Sequence, residues 1–347
     1  MRLHPKDDNE RRAEMPRWVN RPEGSNWGDF GEDDQIGRMN LITPERRRAA
    51  MAEVREGIAF TLSLPLNVPT IPLTPFRRPP LLSAACDEEG DMYNRLDPNG
   101  EESTCDDRVL LYTQHSTQWD ALSHRGRTFD ADGDGVAELV YYNGFRAGDH
   151  VSGGEGAAEA PCARALGIET LATAGVQGRG VLVNLKAAYG TEYRPITRDD
   201  LLRAMDAQRV EVRTGDFLLL YTGVDRMLLD REARGEDVPL AMAGCALDGR
   251  DESLLQWIID SGITAICSDN LAIEALDLIL SPEPPPIRLP VHDLCLFRQG
   301  IFLGELWYLE ELAQWLGERG RHAFLLTAPP LRLPGSVGSP VTPIATV

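Results

Sequence analysis

From residue 180 onward, apolar runs of strand length alternate with capped, helix-length segments, and nothing else in this sequence restricts the fold as much. Gly180-Val181-Leu182-Val183-Asn184-Leu185 reads as a strand. Thr197-Arg198-Asp199-Asp200 has the spacing of a capping box, with Asp where Glu or Gln is usual, and opens a helix reaching about Gln208. Residues 216–222 read as a buried strand, 251–261 as a helix, 264–268 as a strand, 310–315 as a late helix and 323–327 as a last strand. With no internal repeat and no linker rich enough to divide the chain, one α/β domain is the simplest reading.

Composition narrows the class. A chain of 347 residues that is 42% hydrophobic can bury a real core. Its net charge of -19 argues against nucleic acid as a partner, because phosphate binding needs clustered Lys and Arg. Cysteines 86, 105, 162, 245, 267 and 295 contain no Cys-x-x-Cys pair, so neither a zinc knuckle nor a small disulfide framework is expected. Cys267 and Cys295 lie in apolar runs and read as buried. The first residues, Met1 to Asp8, have no apolar core of a signal peptide, and no run approaches the ~18 apolar residues of a membrane span. A cytoplasmic protein without membrane contact is the expectation.

Residues 1–25, charged and containing Pro and Gly, read as an extended N-terminal arm, with the domain proper over 26–347. Thr43-Pro44-Glu45 signals a helix start and Gly57 its stop. Residues 59–64 alternate apolar and polar as a half-buried strand does. Residues 67–107, rich in Pro, Asp and Gly, read as a long excursion of the kind that often carries function.

The chemistry concentrates in Gln114-His115-Ser116-Thr117-Gln118-Trp119-Asp120-Ala121-Leu122-Ser123-His124, after the strand-like run Val109-Leu110-Leu111-Tyr112. On an extended chain Gln114, Ser116, Gln118 and Asp120 share a face. If a helix follows, Asp120 and His124 share a face too. A carboxylate and an imidazole brought together suit hydrolytic or proton-transfer chemistry. Among the six histidines, His124 is the best acid/base candidate. His115 has the wrong parity to face Asp120 and reads as a buried histidine, His150 as structural, and His4 and His322 as surface. His292, ahead of Glu305 in Gly304-Glu305-Leu306-Trp307, reads equally as site or surface. Asp130-Ala131-Asp132-Gly133-Asp134-Gly135 imitates a calcium loop but has Tyr141 where the bidentate Glu should sit, so a solvated turn is expected. Gly153-Gly154-Glu155-Gly156 lacks the Lys of a phosphate loop and reads as a turn.

Taken together, several blocks resemble the bacterial cyclase family, relatives of kynurenine formamidase and isatin hydrolase. They are Trp27-Gly28 with residues 34–44, residues 117–124, Gly215-Asp216-Phe217-Leu218-Leu219, Asp269-Asn270 with Glu274, Gly304-Glu305 with residues 309–313, and the ending from Ala328 to Ala345. The resemblance implies a swivelling β/β/α fold assembled as a homodimer or homotetramer, and a metal-dependent hydrolase that opens a cyclic amide or cleaves a formamide. It implies Asp120 as a ligand to Mn²⁺ or Zn²⁺, His124 as acid/base, and His292 and Glu305 as later metal-site residues, at a spacing one residue longer than the family's. Gln114 and Gln118 stand where the family has ligand histidines, Ser116 replaces Gly and Leu122 replaces Pro. A Gln carbonyl oxygen suits Mn²⁺, Mg²⁺ or Ca²⁺ better than Zn²⁺, and His115 rescues a ligand only if a bulge shifts its parity.

The expected function is hydrolysis of a small cyclic amide, lactone or formamide. Asp120 and Gln118, with Gln114 or His115, hold the ion, His124 moves the proton, and Trp119 and Thr117 line the substrate, a core tryptophan being an equal reading of Trp119. The alternative is a metal-independent cyclase, dehydratase or lyase using Asp120 and His124 for proton transfer. A non-catalytic binder is disfavoured, because an inert pocket needs no such pair.

Overall fold

The structure is a computed structural model and describes residues 16–72, 74–153, 160–236 and 243–347. Its centre is one sheet built from β1 (Ala59–Thr61), β2 (Gln118–Asp120), β3 (Gln177–Asn184), β4 (Phe217–Tyr221), β5 (Ala265–Ser268), β6 (Phe302–Glu305), β7 (Ala323–Thr327), β8 (Gly338–Pro340) and β9 (Ile344–Thr346). The strands lie in the order β1-β9-β7-β3-β4-β5-β6-β2-β8. β3 to β6 are parallel, and antiparallel strands extend the sheet on both sides. Parallel strands are covered on both faces and so read as continuous apolar runs. Phe-Leu-Leu-Leu-Tyr of β4 and Ala-Ile-Cys-Ser of β5 are accordingly buried at every position.

Among the described residues the α-helices of eight residues or more are α1 (Pro44–Met51), α2 (Arg198–Gln208), α3 (Val224–Arg234), α4 (Glu252–Ser261) and α5 (Glu310–Glu318). Thr43 caps α1 by accepting from the Arg46 N–H, and both arms of the Thr197/Asp200 capping box are formed. The α/β alternation read from the sequence is the architecture found. α1 ends short of Gly57, however, because Ala50 is the only residue it buries. β1 stops at Thr61, since the next partner position is Pro343, which accepts from the Leu62 N–H at 2.8 Å but has no N–H to return.

Two other expectations change. The run 109–112 is not a core strand: Asp107–Leu110 pairs with Leu81–Ala84 in a separate ribbon within the excursion, with Leu81, Leu82, Val109 and Leu110 exposed. Residues 16–25 of the expected arm lie against the domain, Val19 and Asn20 donating to the Ala131 carbonyl and Trp18 meeting Trp27. The remainder of the arm, His4 included, and residues 154–156 of the glycine-rich turn lie outside the described residues. All six cysteines are free, with Cys245, Cys267 and Cys295 buried. Among the described residues no helix is long and apolar enough to cross a membrane.

The segment 34–40 acts as a clamp. Asp34 accepts from the Gly37 N–H at 2.8 Å, and Arg38, almost fully buried, donates to the Ile258 and Ile259 carbonyls. Gly37, at φ +51°, lies back-to-back with Gly300, which precedes β6; a Cβ on Gly37 would fall 2.2 Å from the Gly300 oxygen. Gly37→Ala therefore combines left-handed strain with a backbone clash. It is expected to cost about 2–3 kcal/mol, read as a lower urea midpoint with an unchanged slope.

Candidate active site

β2 and β6 pair antiparallel with Gln118 opposite Glu305 and Asp120 opposite Leu303. Because strand side chains alternate, Gln118 and Asp120 share one face, and the Gln118 amide donates to Glu305 Oε2 at 2.9 Å. Trp119 points the other way. It is fully buried, packs edge-on against Trp307 with centroids 5.1 Å apart, and donates its indole N–H to the Ala328 carbonyl.

His292 reaches the same face from a short helical turn, Pro290–His292, that runs into a wide π-helical stretch, Asp293–Gln299. A π turn takes up one more residue than an α turn. Glu274 accepts from the Val291 and His292 N–H groups at 3.0 and 2.8 Å and bonds His292 Nδ1 at 2.7 Å. His292 Nε2 is thereby aimed at Glu305 Oε1, 3.3 Å away. Two strained turns hold these carboxylates: Ala272 and Ile273 (φ 77° and 61°) precede Glu274, and Leu306 (φ 55°) follows Glu305. Non-glycine residues rarely adopt such angles, least of all β-branched Ile, and strain of this kind gathers at functional sites.

His124 follows Asp120 through a turn closed by a 2.9 Å bond from its N–H to the Ala121 carbonyl, so the helical condition for a shared face is not met. Its Nε2 lies 3.8 Å from Asp120 Oδ1, and its side chain keeps 21% exposure where Asp120 keeps 1%. Burial, and then the charge of His292, hold His124 down to about 3, so the ring is neutral. Burial also opposes charge on His292, but the hydrogen bonds and charges of Glu274 and Glu305 outweigh it and raise this imidazole to about 10. Asp120 is pushed up by burial and by the Glu305 carboxylate.

Asp120, His292 and Glu305 each offer a ligand atom within 4.8 Å of the others. Both Asp120 oxygens and Gln118 Oε1 are buried without a hydrogen-bond partner. Orphaned buried carboxylate oxygens are costly, and a cation at this point satisfies them. The clustered donors, two carboxylates and one imidazole, fit a divalent ion.

The family model described as "Putative cyclase" matches residues 60–275. This chain belongs to the cyclase family. A crystal structure described as a novel cyclase is 32% identical, covers 93% of this chain and 97% of its own, and superposes with a TM-score of 0.73. Isatin hydrolase A from Labrenzia aggregata, bound to benzyl benzoate, shares the fold at 14% identity, with TM-score 0.55 over 86% of this chain and 95% of its own. An isatin hydrolase bound to the product analogue thioisatinate gives 15% and 0.53 over the same shares. No curated protein matches the chain.

Within this cyclase-family site several expected roles move. Residues 113–117 form turns and bends rather than an extended strand, so the parity argument holds only from Gln118 onward. Gln114, expected as a ligand, turns its Nε2 to His124 Nδ1 at 3.1 Å and to the Val337 carbonyl at 3.3 Å. His115 is buried and bonds the Pro69 carbonyl through Nε2 at 2.8 Å, tying down the excursion instead of holding an ion. Thr117 has no accessible surface; its hydroxyl accepts from the Leu64 N–H and donates to the Leu306 carbonyl. Neither Thr117 nor Trp119 has a surface to offer a substrate, because both are spent on the core.

Elsewhere, Arg146 bridges Asp132 of the acidic turn and Glu138 at 3.0 and 3.4 Å. His150 accepts from the Arg146 N–H and stacks edge-on against Phe145, a structural role. His322 is half-buried, not exposed. Reasoning from the residues alone missed Arg77, whose positive charge reaches Asp120, His124 and Glu305 from within the excursion. No spacing signal marks it.

Proposed function

We propose that this cyclase-family protein is a metal-assisted hydrolase of a small cyclic amide, lactone or formamide. The observation that carries the reading is the buried Asp120 carboxylate, with both oxygens unpartnered beside His292 and Glu305. Asp120, Gln118, Glu305 and His292 would hold a Mn²⁺ or Zn²⁺ ion, the oxygen-rich set favouring Mn²⁺. Such an ion supplies Lewis acidity toward a carbonyl oxygen and acidifies water. Glu274 fixes the His292 ring and its ligating nitrogen, as carboxylate partners of metal-binding histidines do. His124, neutral and partly open to solvent, is the imidazole nearest Asp120 outside the ligand set and would bond the reacting oxygen. The exposed apolar residues of the excursion support assembly as a homodimer or homotetramer.

A metal-independent cyclase, dehydratase or lyase is the second reading. It is favoured by Gln114, which turns to His124 and leaves the site one ligand poorer.

Elemental mass spectrometry separates the two. The hydrolase reading expects near-stoichiometric Mn or Zn in the purified protein, turnover of a lactam, lactone or formamide, loss of both on chelation and return on adding Mn²⁺. A protein that binds neither metal and turns over unchanged with chelator supports the proton-transfer reading and sinks the first.

A further inference from the structure

Gln114 occupies a position where the family resemblance implies a ligand histidine, yet it contacts an imidazole. Its donor and acceptor ends can be told apart from their neighbours. The atom 3.1 Å from His124 Nδ1 is also 3.3 Å from the Val337 carbonyl oxygen, which only accepts. The other end of the amide lies 3.0 Å from the Thr113 hydroxyl, which can donate to it. The end facing His124 is therefore the NH₂ group. Gly338 makes room for it, since a Cβ there would come 2.5 Å from Gln114 Nε2. Turning the amide over would set its oxygen against the Val337 oxygen.

An NH₂ group facing Nδ1 requires a lone pair on that nitrogen. In a neutral imidazole the proton must then sit on Nε2, the atom 3.8 Å from Asp120 Oδ1. We propose that Gln114 is a positioning residue that fixes His124 as the Nε2–H tautomer, so that the ring presents a hydrogen-bond donor, not a lone pair, to the reacting atoms. The same amide disfavours a doubly protonated ring, whose Nδ1–H would oppose it. A neutral imidazole N–H held in this way polarises a carbonyl or stabilises charge growing on its oxygen without giving up its proton. That consequence rests on the hydrolase reading. The tautomer itself does not.

The test needs no substrate. Protein labelled with ¹⁵N-histidine, metal-free or Zn²⁺-loaded, is measured by long-range ¹H–¹⁵N correlation at mildly alkaline pH, with His124 assigned by its absence in His124→Asn. In the wild type, Nδ1 is expected to resonate as an unprotonated nitrogen and Nε2 as a protonated one. Gln114→Glu, which offers Nδ1 an acceptor, is expected to reverse the two, and Gln114→Leu to average them, while the other histidine signals stay in place as a check on the fold. Nδ1 protonated in the wild type, a switch of tautomer on loading Zn²⁺, or identical His124 shifts in wild type and Gln114→Glu would each overturn the proposal. None of these results depends on whether the protein is a hydrolase.

Discussion

Asp120→Asn is expected to remove ion binding and turnover together while leaving the metal-free fold as stable as the parent, or more so. Both oxygens of this carboxylate are buried with no hydrogen-bond partner, although the Gln114 amide lies nearby. In the metal-free chain it is thus a charge taken out of water with little in return, and a neutral amide of the same shape relieves that cost. With the ion present the balance reverses, because an amide oxygen binds a divalent cation far more weakly than a carboxylate does. Loss of an outer partner of a ligand already costs about 10–100-fold in affinity or activity, so losing Asp120 itself should exceed about 100-fold in both. Thermal unfolding of the two proteins, with chelator and with Mn²⁺, checks the sign: the variant should melt at or above the parent without metal and gain nothing from it. A variant that melts well below the metal-free parent would mean that Asp120 is part of the scaffold.

How much of this was legible beforehand differs between fold and site. The β4, β5 and β7 strands and the α2, α4 and α5 helices are marked by their own residues, because buried parallel strands and capped helices carry local signals. The site is assembled across the chain and carries fewer. Asp120 and Gln118 share a face by strand parity, which sequence can supply. That His292 meets them depends on Glu274, 18 residues earlier, bonding its backbone and ring. That Glu274 can do so depends on positive φ angles at Ala272 and Ile273, which neither residue type advertises. The errors have the same physical origin. Extending the β2 strand back to Gln114 assumed that polar alternation means strand, whereas residues 113–117 turn to reach the excursion. Of the two readings open for Trp119, substrate wall or core, strand alternation decides for the core, since it aims Gln118 and Asp120 at the site and Trp119 away from it.

A second buried carboxylate gives the opposite expectation for the same kind of change. Asp269, at the end of β5, accepts from the Thr222 N–H (2.8 Å) and hydroxyl (2.9 Å) and from the Gly223 (2.7 Å) and Val224 (2.8 Å) N–H groups. It thereby closes the turn from β4 into α3 and meets the positive end of that helix. Asp225, in the first turn of α3, accepts in the same way from the Leu309 and Glu310 N–H groups at the start of α5. The adjacent Asn270 bonds the Ile273 N–H, so the chain of contacts continues into the strained turn that aims Glu274. Asp269→Ala strips several buried donors of their acceptor at once. It should cost about 3–5 kcal/mol, the scale for breaking a buried charged network, seen as a lower urea midpoint. Asp269→Asn should fall between, since one oxygen remains while the new NH₂ faces N–H groups. What separates Asp269 from Asp120 is not burial, which they share, but the donors around each carboxylate. Where those donors are complete the acid holds the fold together, and where they are missing it waits for something the chain does not itself supply.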